Sequence, residues 1–190
     1  ISSAASDVYK RQDRTVIGLI TELEIDGGFN PVTGQATSPW FVMEMIRQLY
    51  DVRRIDITSS SIDEDVGILM IVHPQELSDE MLYAIDQHVM KGGQAIVFLD
   101  PNADSLVTRS PQGAMIPAGM GSDLEVLLSA WGVEYQDDKV LADNELALRV
   151  RMSQNGRPMP HLGMVGVPRE NFDQEDIITS RLETVNFASA

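Results

Sequence analysis

Cysteine is missing from all 190 residues. That removes disulfides, thiolate metal sites and cysteine nucleophiles together. A cysteine-free chain occurs in any redox compartment, so the absence does not locate the protein. Histidine is scarce: His73, His88 and His161 are the only three, far apart in the chain, which argues against a histidine-rich metal site. Positive charge is scarce as well. Fourteen Lys and Arg stand against 29 Asp and Glu, a formal net charge of −15 and a pI of about 4.4. Such a field repels phosphate backbones and anionic membrane surfaces, so no nucleic-acid partner is expected. No apolar run approaches the roughly 18 residues that would span a bilayer.

What is present is ordinary globular material, 43% hydrophobic and 23% charged. That composition excludes a disordered or collagen-like chain, and the length suits one domain able to bury a core without staples. The first residues stand apart. Asp7-Val8-Tyr9-Lys10-Arg11-Gln12 reads like the translation of a transposon end used in sequencing libraries. Residues 1–12 are therefore expected to be read-through, and 13–190 a single α/β domain truncated at both ends.

Thr15 to Ile20 is a β-branched apolar run and reads as a buried strand. A loop with Asp26-Gly27-Gly28 and Asn30-Pro31 follows. Ser38-Pro39 looks like an N-cap with proline at the first helical position, before Phe41, Val42, Met45, Ile46 and Leu49 at helical spacing. Val52 to Ile57 alternates as a half-exposed strand. Val66 to Val72 is apolar throughout and reads as a central strand ended by His73-Pro74. Ser78 caps a second helix, with Asp79 and Glu80 in its first turn and Met81, Leu82, Ile85 and Val89 on its apolar stripe. Lys91-Gly92-Gly93 stops it. Ala95 to Leu99 is another buried strand, closed by Asp100-Pro101. Asn102 to Gly121 is a long polar loop of the functional or mobile kind. Ser122-Asp123-Leu124-Glu125 matches a capping box for a helix through Leu127, Leu128 and Trp131, ended by Gly132. Val133–Tyr135, Lys139–Ala142 and Leu146–Met152 are short strand-like runs. Two strand–helix–strand units imply parallel pairing through helical crossovers. The expected fold is thus α/β, three-layered, with a mainly parallel sheet in the order second, first, third, fourth strand, and an irregular C-terminal extension.

In such a sheet ligands bind outside the carboxyl ends of the strands. Those ends carry Thr21 and Glu22, then His73, then Asp100 and Asn102. A histidine between carboxylates can bind a polar ligand or act as a general base. The same residues also have a structural explanation, because His-Pro and Asp-Pro end strands and Asp100 can accept backbone N–H bonds in a turn. Gly27-Gly28 belongs to no phosphate-binding motif, and no G-x-S-x-G elbow is present. Ser59-Ser60-Ser61 reads as a loop. Asp63-Glu64-Asp65 and Asp173-Gln174-Glu175-Asp176 read as solvated turns. Several of the ten methionines fall on helix stripes as core fillers, and Trp40 and Trp131 read as packing residues.

Several blocks together resemble a known family. His73-Pro74-Gln75-Glu76-Leu77-Ser78, Tyr83-Ala84-Ile85-Asp86-Gln87 through Lys91-Gly92-Gly93, and Val97-Phe98-Leu99-Asp100-Pro101 resemble the auxiliary components of gliding-motility-type ABC transport systems. Ser38-Pro39-Trp40, Leu49-Tyr50-Asp51-Val52, Ala130-Trp131-Gly132-Val133, Lys139-Val140-Leu141-Ala142-Asp143 and the closing Leu182 to Ser189 agree. The resemblance runs from about Val16 to the end. It implies a Rossmann-like, amidotransferase-like sheet. It also implies an extracytoplasmic domain at the periplasmic face of the bacterial inner membrane, held there by flanking anchors not included in this chain. The implied partners are separately encoded ATPase and permease subunits, with a sugar or peptide as possible ligand. The family carries no catalytic residue to this chain, and no cofactor or metal is expected. The expected function is non-catalytic, contacting the permease or a ligand, with Glu22, His73, Asp100 and Asn102 as the candidate ligand-binding residues. The alternatives are a sugar- or peptide-binding module, or a cysteine-free hydrolase or amidotransferase relative.

Overall fold

A computed structural model describes residues 14–30, 34–101, 103, 105–111, 113–117, 121–136, 139–151 and 156–188. The suspected read-through segment and Asn102 lie outside the described residues.

The two most apolar runs form the centre of a parallel sheet. β1 (Val16–Thr21) and β5 (Val66–Val72) pair in parallel, and β4 (Asp51–Arg54) and β6 (Gln94–Phe98) flank them in the order β4-β1-β5-β6. The expected order is therefore found. α1 (Phe41–Leu49) leads into β4, and α2 (Asp79–Met90) connects β5 to β6. Side chains of a strand alternate between faces, so a strand covered on both faces is apolar at every position. β5 shows this directly. Leu69 and Ile71 join the cluster made with Met81 and Ile85 of α2 and Leu127 and Leu128 of α3 (Glu125–Ala130). Ile68, Met70 and Val72 turn to the other face, where Ile17, Leu19 and Met43 of α1 pack.

Local chemistry explains most boundaries. Ser78 caps α2, its hydroxyl accepting the Met81 amide at 3.2 Å, and Gly92 at φ 90° ends it. Trp131 donates its indole N–H to Asp86 at 3.0 Å and ties α3 to α2.

Some expectations need correction. The loop after β1 contains a hairpin, β2 (Gly28–Asn30) with β3 (Gln35–Thr37). α1 starts at Phe41, capped by Trp40 without a side-chain bond, because the Trp40 amide is held extended by the Ile25 carbonyl at 2.8 Å. β6 is not buried: it lies at the sheet edge, and Ile96 and Phe98 are about half exposed. The loop after Asp100 contains a second hairpin, β7 (Val107–Arg109) with β8 (Met115–Pro117). Residues 133–135 and 139–142 are irregular rather than strands. The C-terminal extension instead forms an antiparallel sheet from β9 (Ala147–Val150), β10 (Met159–Pro168) and β11 (Thr184–Ala188), in the order β11-β10-β9. Among the described residues no helix is long and apolar enough to cross a membrane.

The burial pattern predicts unequal costs along neighbouring strands. Leu69→Ala, at a fully buried position, should cost about 2–5 kcal/mol. Ile96→Ala on the edge strand should cost about 1 kcal/mol or less. Urea titration of both variants checks the difference; equal costs would contradict the assignment of β6 to an open edge.

Candidate functional site

β5 ends in an unusual backbone. His73 adopts φ 47° and Glu76 φ 46°, the left-handed region that side chains with a Cβ rarely enter. Each such residue costs on the order of 1–3 kcal/mol and persists only where its surroundings hold it. The surroundings of His73 are clear. Its amide donates to the Phe98 carbonyl at 2.9 Å, extending the β5–β6 ladder by one bond. Its ring is buried, 2% exposed, with Nδ1 2.9 Å from Ser122 Oγ.

Ser122 does more than touch the ring. Its Oγ accepts the Asp100 amide at 2.8 Å and its own amide donates to the Asp100 carbonyl at 2.8 Å. Next to it the Asp123 amide donates to the Pro74 carbonyl at 2.7 Å, and the Gln75 side chain donates to the Gly121 carbonyl at 3.1 Å. Residues 121–123 thus strap the ends of β5 and β6 together. The expected capping box is corrected here: α3 starts after Leu124 without a side-chain cap, because the Ser122 hydroxyl is committed to the strand ends.

The bonding pattern assigns the histidine tautomer. Oγ already accepts from Asp100, so donating its own proton to Nδ1 satisfies both groups and leaves the ring proton on Nε2. Nε2 is buried and has no hydrogen-bond partner among the described residues. Burial pushes the His73 pKa below its ordinary value of 6.5, and the nearby Asp100 charge opposes that shift.

His73 also lines a cleft of about 320 Å³ at the carboxyl ends of the parallel strands. Leu23 and Ile25 after β1, Trp40, Val42 and Met43 around the start of α1, Phe98 at the end of β6 and Leu99 just after it build its apolar walls. His73, Asp100 and Ser105 are its polar lining side chains among the described residues. Trp40 is nearly half exposed here, a cleft wall rather than the core residue expected. Glu22 does not line the cleft. It lies beside Glu76, and burial together with that like charge raises its pKa above 4.5. Of the expected residues, His73 and Asp100 are therefore brought together, whereas Glu22 lies apart beside Glu76, which was not expected. Ser122 was missed because its neighbours imitate a helix cap; the pairing of residues 22 and 49 positions apart carries no local signal.

Ser122, His73 and Asp100 bring to mind a nucleophile–base–acid arrangement, but Ser122 is 2% exposed and contacts Nδ1. The hydroxyl serves as a tie between strands. Among the described residues no group of His, Asp and Glu could hold a metal ion. A second opening, about 510 Å³, lies at the opposite, amino ends of β5 and β6, lined by Tyr83, Gln87 and His88 among others. There a Cβ at Gly93 would meet the His88 ring, which would have to shift.

Two predictions test the strap. Ser122→Ala strands the Asp100 amide and His73 Nδ1, and should cost about 1–3 kcal/mol in urea unfolding; a neutral substitution would show that the bonds contribute nothing. The depressed His73 pKa makes the unfolded chain bind the extra proton first as pH falls below 6.5. Stability contributed by neutral His73 is therefore present above that pH and declines below it. Relative to His73→Gln, the parent should lose stability as pH falls below 6.5, and a parallel pH dependence of the two proteins would refute this. The comparison with the variant cancels Glu22, whose raised pKa acts in the opposite direction at lower pH.

Residues 14–190 match the family model described as an ABC-type uncharacterized transport system. Comparison with curated proteins and with solved structures gives no match.

Proposed function

Given that the chain belongs to this family and is an accessory component of an ABC transport system, we propose that it acts by binding, without catalysis, through the cleft at the carboxyl ends of β1, β5 and β6. His73 is the observation that carries this reading. His88 Nε2 and His161 Nδ1 are likewise buried without a partner among the described residues, so it is the setting of His73 Nε2 that counts. Here the nitrogen coincides with a strained backbone, an apolar cleft and the end of the sheet where α/β folds place their ligands. In this proposal the domain is extracytoplasmic, as the resemblance to gliding-motility-type systems implies, and works beside the permease and ATPase of the same system. The gliding-motility link itself rests on that resemblance.

The enzyme alternative draws on the nearness of Ser122, His73 and Asp100. It is the weaker reading, because the serine is enclosed and its oxygen already accepts a backbone bond. A hydrolase of this fold usually presents its nucleophile openly on a strand–helix elbow.

Thermal melting with a panel of oligosaccharides and peptides tests the proposal. A ligand that binds only the folded state stabilises it by about 2.7 kcal/mol at one hundred times its Kd. At least one panel member should raise the Tm, and the rise should disappear in Val42→Asp, which alters an exposed wall of the cleft. No rise with any member would count against binding. Hydrolytic turnover lost in both His73→Ala and Asp100→Ala would replace binding with catalysis.

A further inference from the structure

α1 carries an apolar arc wider than its contact with the sheet. Met43 is buried and Ile46 packs against the same cluster. Phe41, Val42, Met45 and Leu49 nevertheless lie in water, 74, 50, 52 and 67% exposed. At 3.6 residues per turn, these positions follow one another round a single face of the helix. Val42 belongs to two surfaces, because together with Trp40 it also walls the cleft. Cleft and helix face are therefore continuous. Single exposed apolar residues are normal, but a contiguous set marks an interaction site.

Charge indicates what the surface accepts. Of the guanidinium groups nearby, Arg47 pairs with Asp26, Arg54 bonds Asp26 and the Thr21 carbonyl, and Arg14 donates to the Arg47 carbonyl. By contrast Glu22, Glu44 and Glu76 form no ion pair among the described residues. Glu44 sits on α1 itself, and Glu22 adjoins Leu23 of the cleft wall. The like charges of Glu22 and Glu76 lie near enough to act on each other, an arrangement that an incoming cation relieves. An anionic bilayer, the other natural cover for an exposed apolar helix face, is repelled by the same carboxylates. A saccharide needs many hydrogen bonds, and the cleft offers few polar side chains among its walls.

We propose that α1 and the cleft together dock an amphipathic, cationic segment of a partner protein, its apolar side chains against Trp40, Phe41, Val42 and Met45 and its Lys or Arg side chains against Glu22, Glu44 and Glu76. This names the occupant of the binding role proposed above and rests on that role. It is the helix-in-groove mode of recognition, with charge fixing orientation and apolar anchors supplying affinity.

The probe is a synthetic amphipathic Leu/Lys helix, with a Leu/Glu peptide of identical pattern as control, titrated by fluorescence anisotropy. The Leu/Lys peptide should bind and the Leu/Glu peptide should not. Phe41→Asp and Glu44→Lys should each raise Kd about tenfold or more, equivalent to roughly 1.4 kcal/mol. Tyr83→Asp on the exposed side of α2 and Glu134→Lys elsewhere on the surface match these changes in charge and should leave Kd unchanged. All four positions are exposed, and melting temperatures matched to the parent confirm folding. Equal loss in the matched controls would reveal general attraction to an acidic chain and overturn the proposal. Absence of binding, equal binding of Leu/Glu, or a parent dimer dissolved by Phe41→Asp would each overturn it too, the last assigning the face to a second copy. If a saccharide of the melting panel stabilises the parent while the Leu/Lys peptide does not bind, this proposal fails and the binding role stands; if neither has any effect, both fail.

Discussion

The carboxyl ends of β5 and β6 run into prolines, Pro74 and Pro101, where the regular ladder stops and buried polar groups still need partners. One hydroxyl meets most of that need. Ser122 Oγ lies between the Asp100 amide and His73 Nδ1, while the backbone of residues 122–123 covers the Asp100 and Pro74 carbonyls. Remove the strap and the left-handed turn at His73 has little to hold it. The wall of the cleft is built on that turn. The tautomer, the unpartnered Nε2 and the cleft geometry all follow from where a serine distant in sequence comes to rest.

The two faces of the sheet are covered unequally. On one face α2 and α3 supply Met81, Ile85, Leu127 and Leu128 to a continuous core. On the other α1 supplies Met43, with Ile46 partly buried beside it. The sparsely covered face leaves room for the cleft beside Trp40 and Val42, and leaves most of the α1 apolar arc in water. Burial drives folding roughly in proportion to the apolar area removed from water. An apolar arc left exposed gains nothing in the isolated chain and becomes favourable only when a partner covers it. The fold's weakest layer and its proposed docking surface are the same place.

Much of the architecture was legible. β1 and β5 are continuous apolar runs of strand length because both of their faces are buried. α2 carries its Ser78 cap, apolar stripe and glycine stop between Ser78 and Gly92. Those signals are local, and the parallel order follows from them with the crossover rule. β6 reads as buried in the sequence, since Ile96 and Phe98 are as apolar as core residues, yet both are about half exposed at the sheet edge. His73 and Asp100 were recognised from their position at strand ends. Their mutual arrangement, and the separation of Glu22 to the side of Glu76, depended on loop paths that no periodicity encodes.

Fold class, strand order, the lack of thiol chemistry and the resemblance to ABC transport components can all be read from the order of the residues alone. Each rests on composition or on neighbours within a few turns of chain. Packing between distant segments sets the rest: Ser122 ties two strands instead of capping a helix, His73 keeps a nitrogen without a partner among the described residues, and Phe41, Met45 and Leu49 stay uncovered. Periodicity records which face of an element is apolar. Whether anything covers that face, and which buried donor is left over, is settled by contacts between residues far apart in the chain.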